Sequence, residues 1–442
     1  MGRCARYGRM GPRCHFSIRR ARLLQFPSVN PTPDSNDAGR MTATERRASG
    51  SLAAIFAARM LGLFLVLPVF ALEAARYPGG DDAARVGLAM GIYGLTQGLL
   101  QIPFGMASDR FGRKRTIVFG LLVFAGGSFI AAAADSLATL IMGRALQGAG
   151  AVSAAVTALL ADQTRDEVRT KAMAMVGASI GLMFAVSLVA APLLVAQIGL
   201  GGLFALTGAL ALACIGVITW WTPAEPVQHK EVPRGGLTDV LRHPGLLRLD
   251  FGVFVLHAVQ LAMWVAIPAM LVQAGLAKES HWYVYLPAVL ASFLVMGFTL
   301  FPLERRGYLR AVFLASVGLV CLVQVGLLVI APQPTVGALA LLLFLFFCGF
   351  NVLEASQPSM ASRMAPPHAR GAALGVYNTL QSLGFFAGGA VGGWLAKNVG
   401  SAGLFAACAG LMLLWFVVAW PMWAPRSANT ADEVLASEAQ AT

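Results

Sequence analysis

Arg59, Arg144, His257 and Glu354 each fall inside a run of apolar residues long enough to cross a bilayer. A charged group at mid-bilayer costs roughly 2.5–3.5 kcal/mol on insertion scales, so such residues face protein or a water-filled cavity and mark paths for protons, ions or substrates. The chemistry open to them is proton uptake and release, or ion binding. A partly buried carboxylate such as Glu354 can exchange a proton near neutral pH, and histidine is the side-chain type whose charge ordinarily changes there. Glu354 is the leading proton-coupling candidate in the second half of the chain, and His257 is the second. A bland alternative stands beside each: Glu354 as a structural carboxylate paired with Arg370 or a helix end, His257 as a ring satisfied by a backbone carbonyl. Arg59 and Arg144 are cavity candidates suited to an anionic or neutral substrate.

Uncharged polar and aromatic residues inside the same runs extend the candidate cavity. Tyr93, Gln97 and Gln101 recur at i, i+4 and i+8 and so share one helix stripe. Gln147, Gln260, Trp264, Asn351, Gln357, Tyr377, Asn378 and Gln381 are the others. A polar stripe on an apolar helix faces water or protein rather than lipid, and hydrogen bonding between helices is the alternative use for any one of them. Metal-ligand spacing is absent. Cys4 and Cys14 lie in the N-terminal tail, while Cys214, Cys321, Cys348 and Cys408 fall singly in apolar runs, as small core residues do. Gly384, Gly388, Gly389, Gly392 and Gly393 give small-xxx-small spacings for close helix approach, with no preceding strand that would make a phosphate loop. Neither a Ser/His pair nor two mid-run aspartates suggest an intramembrane protease. The expectation is a protein that is not an enzyme, needs no cofactor or metal, and is driven by a proton gradient.

The elements that must hold these residues follow from the hydropathy. The 442 residues are 57% hydrophobic and 12% charged, against about 25% charged in soluble domains. Apolar runs fall at about 52–72, 86–107, 116–134, 137–160, 172–196 and 199–221, then at 249–272, 282–303, 309–331, 335–358, 371–396 and 401–423. The pattern predicts an all-α membrane protein with a basic disordered extension over 1–50, a six-helix bundle over 51–221, a cytoplasmic linker over 222–248, a second six-helix bundle over 249–423 and a short tail over 424–442. Met41 is a plausible true start. The net charge of +12 does not point to nucleic acid, because ten of the thirty-three Lys and Arg lie in the first 47 residues and most others in short loops. Odd-numbered loops hold four of them and even-numbered loops sixteen, which predicts even loops and both termini in the cytoplasm. Expected partners are a small-molecule substrate and membrane lipid, with a monomer as the default.

The sharpest local motif is Gly105-Met-Ala-Ser-Asp109-Arg110-Phe111-Gly112-Arg113-Lys114-Arg115, between the second and third runs. An ordinary positive-inside loop explains the four basic residues, but not Asp109 with two glycines at this spacing. Gly105 suits a close helix approach and Gly112 a tight turn. This stretch resembles the signature loop of the major facilitator superfamily, and Arg144-Ala-Leu-Gln147-Gly148-Ala-Gly150 resembles that family's second motif. The resemblance covers roughly residues 45–423. Arg59-Met-Leu-Gly62 with Leu67-Pro68, Gly91-Ile-Tyr93-Gly94-Leu-Thr-Gln97, Phe350-Asn351-Val-Leu-Glu354-Ala and Tyr377-Asn378-Thr-Leu-Gln381-Ser are similar to the YajR-like branch of drug:proton antiporters.

The resemblance implies twelve transmembrane helices in two pseudo-symmetric bundles, the major facilitator fold, in a bacterial inner membrane. It implies a conformational latch of Gly105, Asp109, Arg110, Gly112, Arg113 and Asp162, in which Asp109 faces the N-terminus of the eleventh span and Arg113 pairs with Asp162. Two departures stand out. The family's antiporter motif carries Gly-Pro where this chain has Ala191-Pro192, and about twenty residues follow the last run, so the small C-terminal domain of some YajR-like proteins is expected to be missing. The expected activity is secondary active transport of a small organic molecule, as proton-coupled efflux. Symport or facilitated diffusion on the same fold is the alternative, and a non-transporting sensor or intramembrane enzyme is the alternative from another class.

Overall fold

The computed structural model describes residues 41–150, 152–225, 237–366 and 369–422. Cys4, Cys14, most of the basic extension, the middle of the linker and the acidic tail lie outside the described residues. Within them the chain is helical throughout. The elements are α1 (Ala43–Phe64), α2 (Leu67–Ala74), α3 (Ala83–Phe111), α4 (Arg113–Ala132), α5 (Leu137–Ala149), α6 (Ser153–Asp162), α7 (Asp166–Gly216), α8 (Leu237–Arg242), α9 (Pro244–Gln273), α10 (Trp282–Arg305), α11 (Leu309–Ile330), α12 (Val336–Met364) and α13 (Arg370–Ala419).

Twelve crossings emerge once the breaks are read. Nine helical stretches among the described residues are long and apolar enough to span a bilayer. Two of them, α7 with 51 residues and α13 with 50, are far longer than the roughly 20 residues a crossing needs. Each breaks at a glycine with positive φ, Gly199 at 68° and Gly400 at 70°, a conformation open to glycine because it has no Cβ. Each therefore supplies two crossings. The more polar α3 supplies the last. The first crossing is split before Leu67, with Pro68, which has no N–H to donate, in the first turn of α2, and the fourth is split at Gly150.

Local chemistry sets the helix starts. Thr42 and Glu45 form a reciprocal capping box, so α1 begins well before the apolar run at 52. Asp82, Ser136, His243 and Thr335 cap α3, α5, α9 and α12 with side-chain acceptors. Large apolar side chains such as Phe298, Leu322 and Val329 point outward, as a lipid-facing surface requires.

Glycine stripes fit the two halves together. A Cβ on Gly389 would lie 2.6 Å from the Gly87 carbonyl, and one on Gly91 would lie 2.7 Å from the Phe386 carbonyl, so α3 and α13 meet backbone to backbone. On another face of α13, Gly384, Gly388 and Gly392 admit Phe254, Ala258 and Ala262 of α9. This contact occupies the end of the bundle that carries the odd-numbered loops. The halves also meet where Phe184 of α7 packs on Phe347 of α12, with ring centroids 5.8 Å apart. Toward the even-loop end they separate: a Cβ at Gly98 still meets Thr379 and Leu383 of α13, whereas one at Gly105, two turns further along α3, meets only Ala154 of its own half. A cleft therefore opens at the even-loop end.

Candidate functional site

On the second-half wall of the cleft, α9, α12 and α13 bring together three residues far apart in sequence. His257 Nε2 lies 3.2 Å from Glu354 Oε2, and the Gln381 amide lies 2.8 Å from the same ring nitrogen and 3.3 Å from Glu354 Oε1. The other ring nitrogen, Nδ1, is 2.8 Å from the Val253 carbonyl. A carbonyl only accepts, so Nδ1 carries a proton. The His257 side chain is 2% exposed, whereas that of Glu354 is 42% exposed. Glu354 thus presents one edge to water and the other to a buried imidazole. His257 thus meets a backbone carbonyl, as its bland alternative expects, and a carboxylate as well. Glu354 has His257 and Gln381 as its partners in place of the Arg370 considered from sequence.

The first-half wall carries two buried guanidinium groups around one tyrosine. Arg59 donates to Ser153 Oγ at 2.7 Å, to the Tyr93 hydroxyl at 2.8 Å and to Gln97 Oε1 at 3.4 Å. Arg144 lies over the Tyr93 ring, 4.9 Å from its centroid, and donates to Gln147 Oε1 at 2.9 Å; Gln147 in turn donates to Ser128. Among the described residues neither arginine forms an ion pair. The i, i+4 spacing of Tyr93 and Gln97 therefore serves Arg59. Gln101 is buried one turn further on, with its Oε1 unpartnered in the protein.

Other candidates lie apart from these two groups. Asn351 donates to Ser292 at 2.8 Å and ties α12 to α10. Trp264 packs edge-on against Tyr285 at 5.3 Å, in the apolar core nearer the odd-loop end, with Gln260 buried between it and His257 along α9. Gln357 and Tyr377 are buried below the His257 group, and Asn378 is half-buried beside Tyr377.

The signature loop forms a compact ionic knot. Arg113 reaches Asp109 at 2.6 Å, Asp162 at 2.9 Å and Ser108 at 2.7 Å. Gly112 turns the chain at φ 99°. Arg110 is exposed and leans on the Phe111 ring at 5.5 Å. Gly105 differs from the expectation of close helix approach: a Cβ there would meet only Ala154, at an ordinary 3.9 Å. The tight contacts of α3 lie instead at Gly87, Gly91, Gly94 and Gly98, facing α13.

Three features escape a reading of the sequence. Glu225, at the edge of the linker, accepts from the backbone N–H groups of Arg113 and Lys114 at 3.1 and 2.6 Å, a carboxylate at the positive end of α4. At the odd-loop end, Glu73 pairs with Lys278 at 2.6 Å and Asp82 with Lys397 at 2.8 Å, and both pairs join the two halves. Asp250 is buried in α9, two turns from His257. Its position between Leu249 and Phe251 was a visible signal, masked by Arg248 and the nearby linker.

Comparison with known proteins accords with this geometry. Residues 52–389 and 251–441 match the model of the Major Facilitator Superfamily. The chain belongs to that superfamily. Within it, the chain is 42% identical over 391 residues to the inner membrane transport protein YajR of Escherichia coli (strain K12), covering 87% of this chain and 85% of that protein. It is 27% identical over 350 residues to the multidrug resistance protein MdtH of Aeromonas hydrophila, covering 76% and 84%. Among solved superfamily structures, the human organic anion transporter MFSD10 (TETRAN) superposes with a TM-score of 0.63 at 18% identity, over 86% of this chain and 100% of that one. The peptide transporter PepTSo gives 0.68 at 13%, over 84% and 97%. The protein is thus a multi-pass membrane protein of a bacterial inner-membrane transporter family, and the family and its named relatives are transporters rather than enzymes.

Proposed function

We propose that this superfamily transporter exchanges a small organic molecule for protons across the inner membrane, with the even-loop end and both termini in the cytoplasm. The observation that carries the reading is the His257–Glu354–Gln381 group on the cleft wall. With Nδ1 held by Val253, the group has two proton arrangements. In one, the ring is neutral, Nε2 accepts from the Gln381 amide, and the proton sits on Glu354. In the other, the ring is an imidazolium whose Nε2–H donates to the Glu354 carboxylate, and the Gln381 amide N–H donates to Glu354 Oε1 in place of the ring nitrogen. Glu354 meets the cleft and can release its proton there, which changes the charge that a substrate meets. Such a change shifts the balance between cleft orientations only as far as the two orientations bind the proton differently.

The orientation rests on the sixteen-to-four bias of basic residues toward the even loops. In this setting the structure is inward-facing, and the Arg113 knot would engage the N-terminus of α13 when the even-loop end closes. Efflux is the direction favoured by the name of the MdtH relative. The two buried arginines without a carboxylate partner favour a second reading, transport of an anionic substrate by symport. A resident cofactor has no part in either, and a monomer suffices for both.

The test is reconstitution into inside-out vesicles, with lumenal pH followed while a panel of compounds is added, for wild type and Glu354→Gln side by side. Proton efflux triggered by a compound and lost in the variant is the expected result. Compound movement with no proton flux would remove the coupling and leave a facilitator.

A further inference from the structure

The three helices that build the His257 group carry a second polar tier beneath it. Asp250 lies seven residues before His257 on α9, Gln357 three residues after Glu354 on α12, and Tyr377 four residues before Gln381 on α13. The chain directions of these helices place all three displaced residues toward the even-loop end, by about 10, 5 and 6 Å at 1.5 Å per residue. Every member is buried; Asp250 and Tyr377 are each 3% exposed and Gln357 is 0% exposed. Asp250 Oδ2, the Tyr377 hydroxyl and both amide atoms of Gln357 have no hydrogen-bond partner in the protein. Tyr377 lies one turn before Gln381, which donates to Glu354 Oε1, and in the same tier as Asp250.

A buried carboxylate is ordinarily paired, because leaving it unpaired costs several kcal/mol. Asp250 has no such partner among the described residues. Its own helix offers Arg248 and His257, α12 offers Glu354, α13 offers Tyr377, and α8 brings Asp239 and Arg242; none forms an ion pair with it. A buried carboxyl group in one tier with a hydroxyl and an amide that also lack partners is suited to carry a proton.

We propose that Asp250 is a second proton-carrying group and that the Tyr377 hydroxyl passes protons between it and Glu354. The step balances without any co-reactant. Once side-chain rotation or a bridging water closes the gaps between them, the Glu354 carboxyl gives its proton toward the Tyr377 oxygen as the phenol O–H gives its own toward the Asp250 carboxylate. The phenol is restored, the negative charge moves from Asp250 to Glu354, and the proton has moved toward the even-loop end. Gln357 supplies a donor and an acceptor that can follow the change of charge. The inference rests on Glu354 as the coupling group and adds the route by which its proton is exchanged.

The test needs no known substrate. Infrared difference spectra between acid and alkaline medium are recorded on the full-length protein in proteoliposomes, for wild type, Asp250→Asn, Glu354→Gln and Tyr377→Phe. Two buried carboxyl bands are expected in wild type. Asp250→Asn removes one and moves the titration of the other by about tenfold in proton concentration, as interacting sites do. Tyr377→Phe keeps both bands but slows proton uptake by Glu354 after a pH jump by about tenfold or more (1.4 kcal/mol per tenfold). The Glu354 band retained in Asp250→Asn shows that the variant is folded. A Glu354 band that titrates identically with and without Asp250, or uptake unchanged in Tyr377→Phe, overturns the relay and leaves the coupling site standing. A wild-type spectrum with no Glu354-dependent band overturns both.

Discussion

Lys397 Nζ lies 2.8 Å from Asp82 Oδ2, so the odd-loop end of α13 in the second half is tied to the residue that caps α3 in the first. Glu73 and Lys278 make the companion tie at 2.6 Å. Both pairs sit at the closed end of the bundle and would have to part for the cleft to open there. They act as a polar clasp over the glycine contact of α3 and α13.

The clasp has a defined pH dependence. The Lys397 ammonium beside Asp82 holds its carboxyl below the usual carboxylate range, helped by the Ala84 N–H. A carboxyl lowered by folding stabilises above its unfolded value, near about 3.9, and that contribution is lost as pH falls through the folded value. The closed odd-loop end should therefore hold steady from neutral pH down to about 5 and weaken only in strong acid. The Glu73 pair is better shielded, with side chains 8% and 24% exposed. Lys278→Gln should shift the balance toward odd-loop opening by about 1–2 kcal/mol. Spin-label distances across the odd-loop end check both statements, and an unchanged distribution in Lys278→Gln with Lys397→Gln would show that the pairs do not hold the closure.

Gly389→Leu should destabilise the closed odd-loop state specifically. Its Cβ would meet the Gly87 carbonyl and the Gly91 nitrogen at 2.6 and 2.7 Å, and backbone atoms cannot turn aside as a side chain can. Overpacking of this kind costs about 1–3 kcal/mol. Gly297→Ala, with nothing within 4 Å, is the control. The same distance measurement, with thermal unfolding alongside, should show a shift for the first and none for the second.

Arg113→Ala should be the most damaging change in the signature loop, because one side chain serves Ser108, Asp109 and Asp162. A loss of about 2–3 kcal/mol is expected in thermal unfolding, against about 1–2 for Asp162→Asn, which keeps the shape and loses the charge. Asp109→Asn should abolish transport while leaving expression intact; full transport in that variant would separate the knot from the conformational cycle.

Glu225→Gln should loosen the start of α4. The carboxylate meets two unpaired backbone N–H groups there, and removing its charge should cost about 0.5–1 kcal/mol. Faster hydrogen exchange at the amides of Arg113 and Lys114 is the expected sign, and unchanged exchange would show that the neutral amide caps equally well.

Much of the architecture was legible in the chain because lipid imposes a one-dimensional rule. Every crossing must satisfy its own backbone within a helix and cover it with apolar side chains, so twelve apolar runs read directly as twelve crossings. Departures came where a single residue outweighed hydropathy, as when the Thr42–Glu45 box lengthened α1 and Gly150 divided the fourth crossing. The pairing of Arg113 with Asp162 could be expected only from the resemblance. The Glu354 alternatives could not be ranked at all from sequence, because Arg370 is closer in the chain than His257.

The sequence by itself determined the number of crossings, the basic bias of the even loops, the signature loop and the presence of ionisable groups in apolar surroundings. These are properties of residues and their neighbours in the chain. Only the tertiary structure decided which of those groups meet. His257, Glu354 and Gln381 come from three helices, Asp250 and Tyr377 lie on the same faces one tier below, and Glu73 with Lys278 spans 205 positions. Such meetings depend on helix rotation and on which glycines let backbones touch, and neither quantity is written in any single segment. The open even-loop end is of the same kind, because it is set by where α3 and α13 cease to touch.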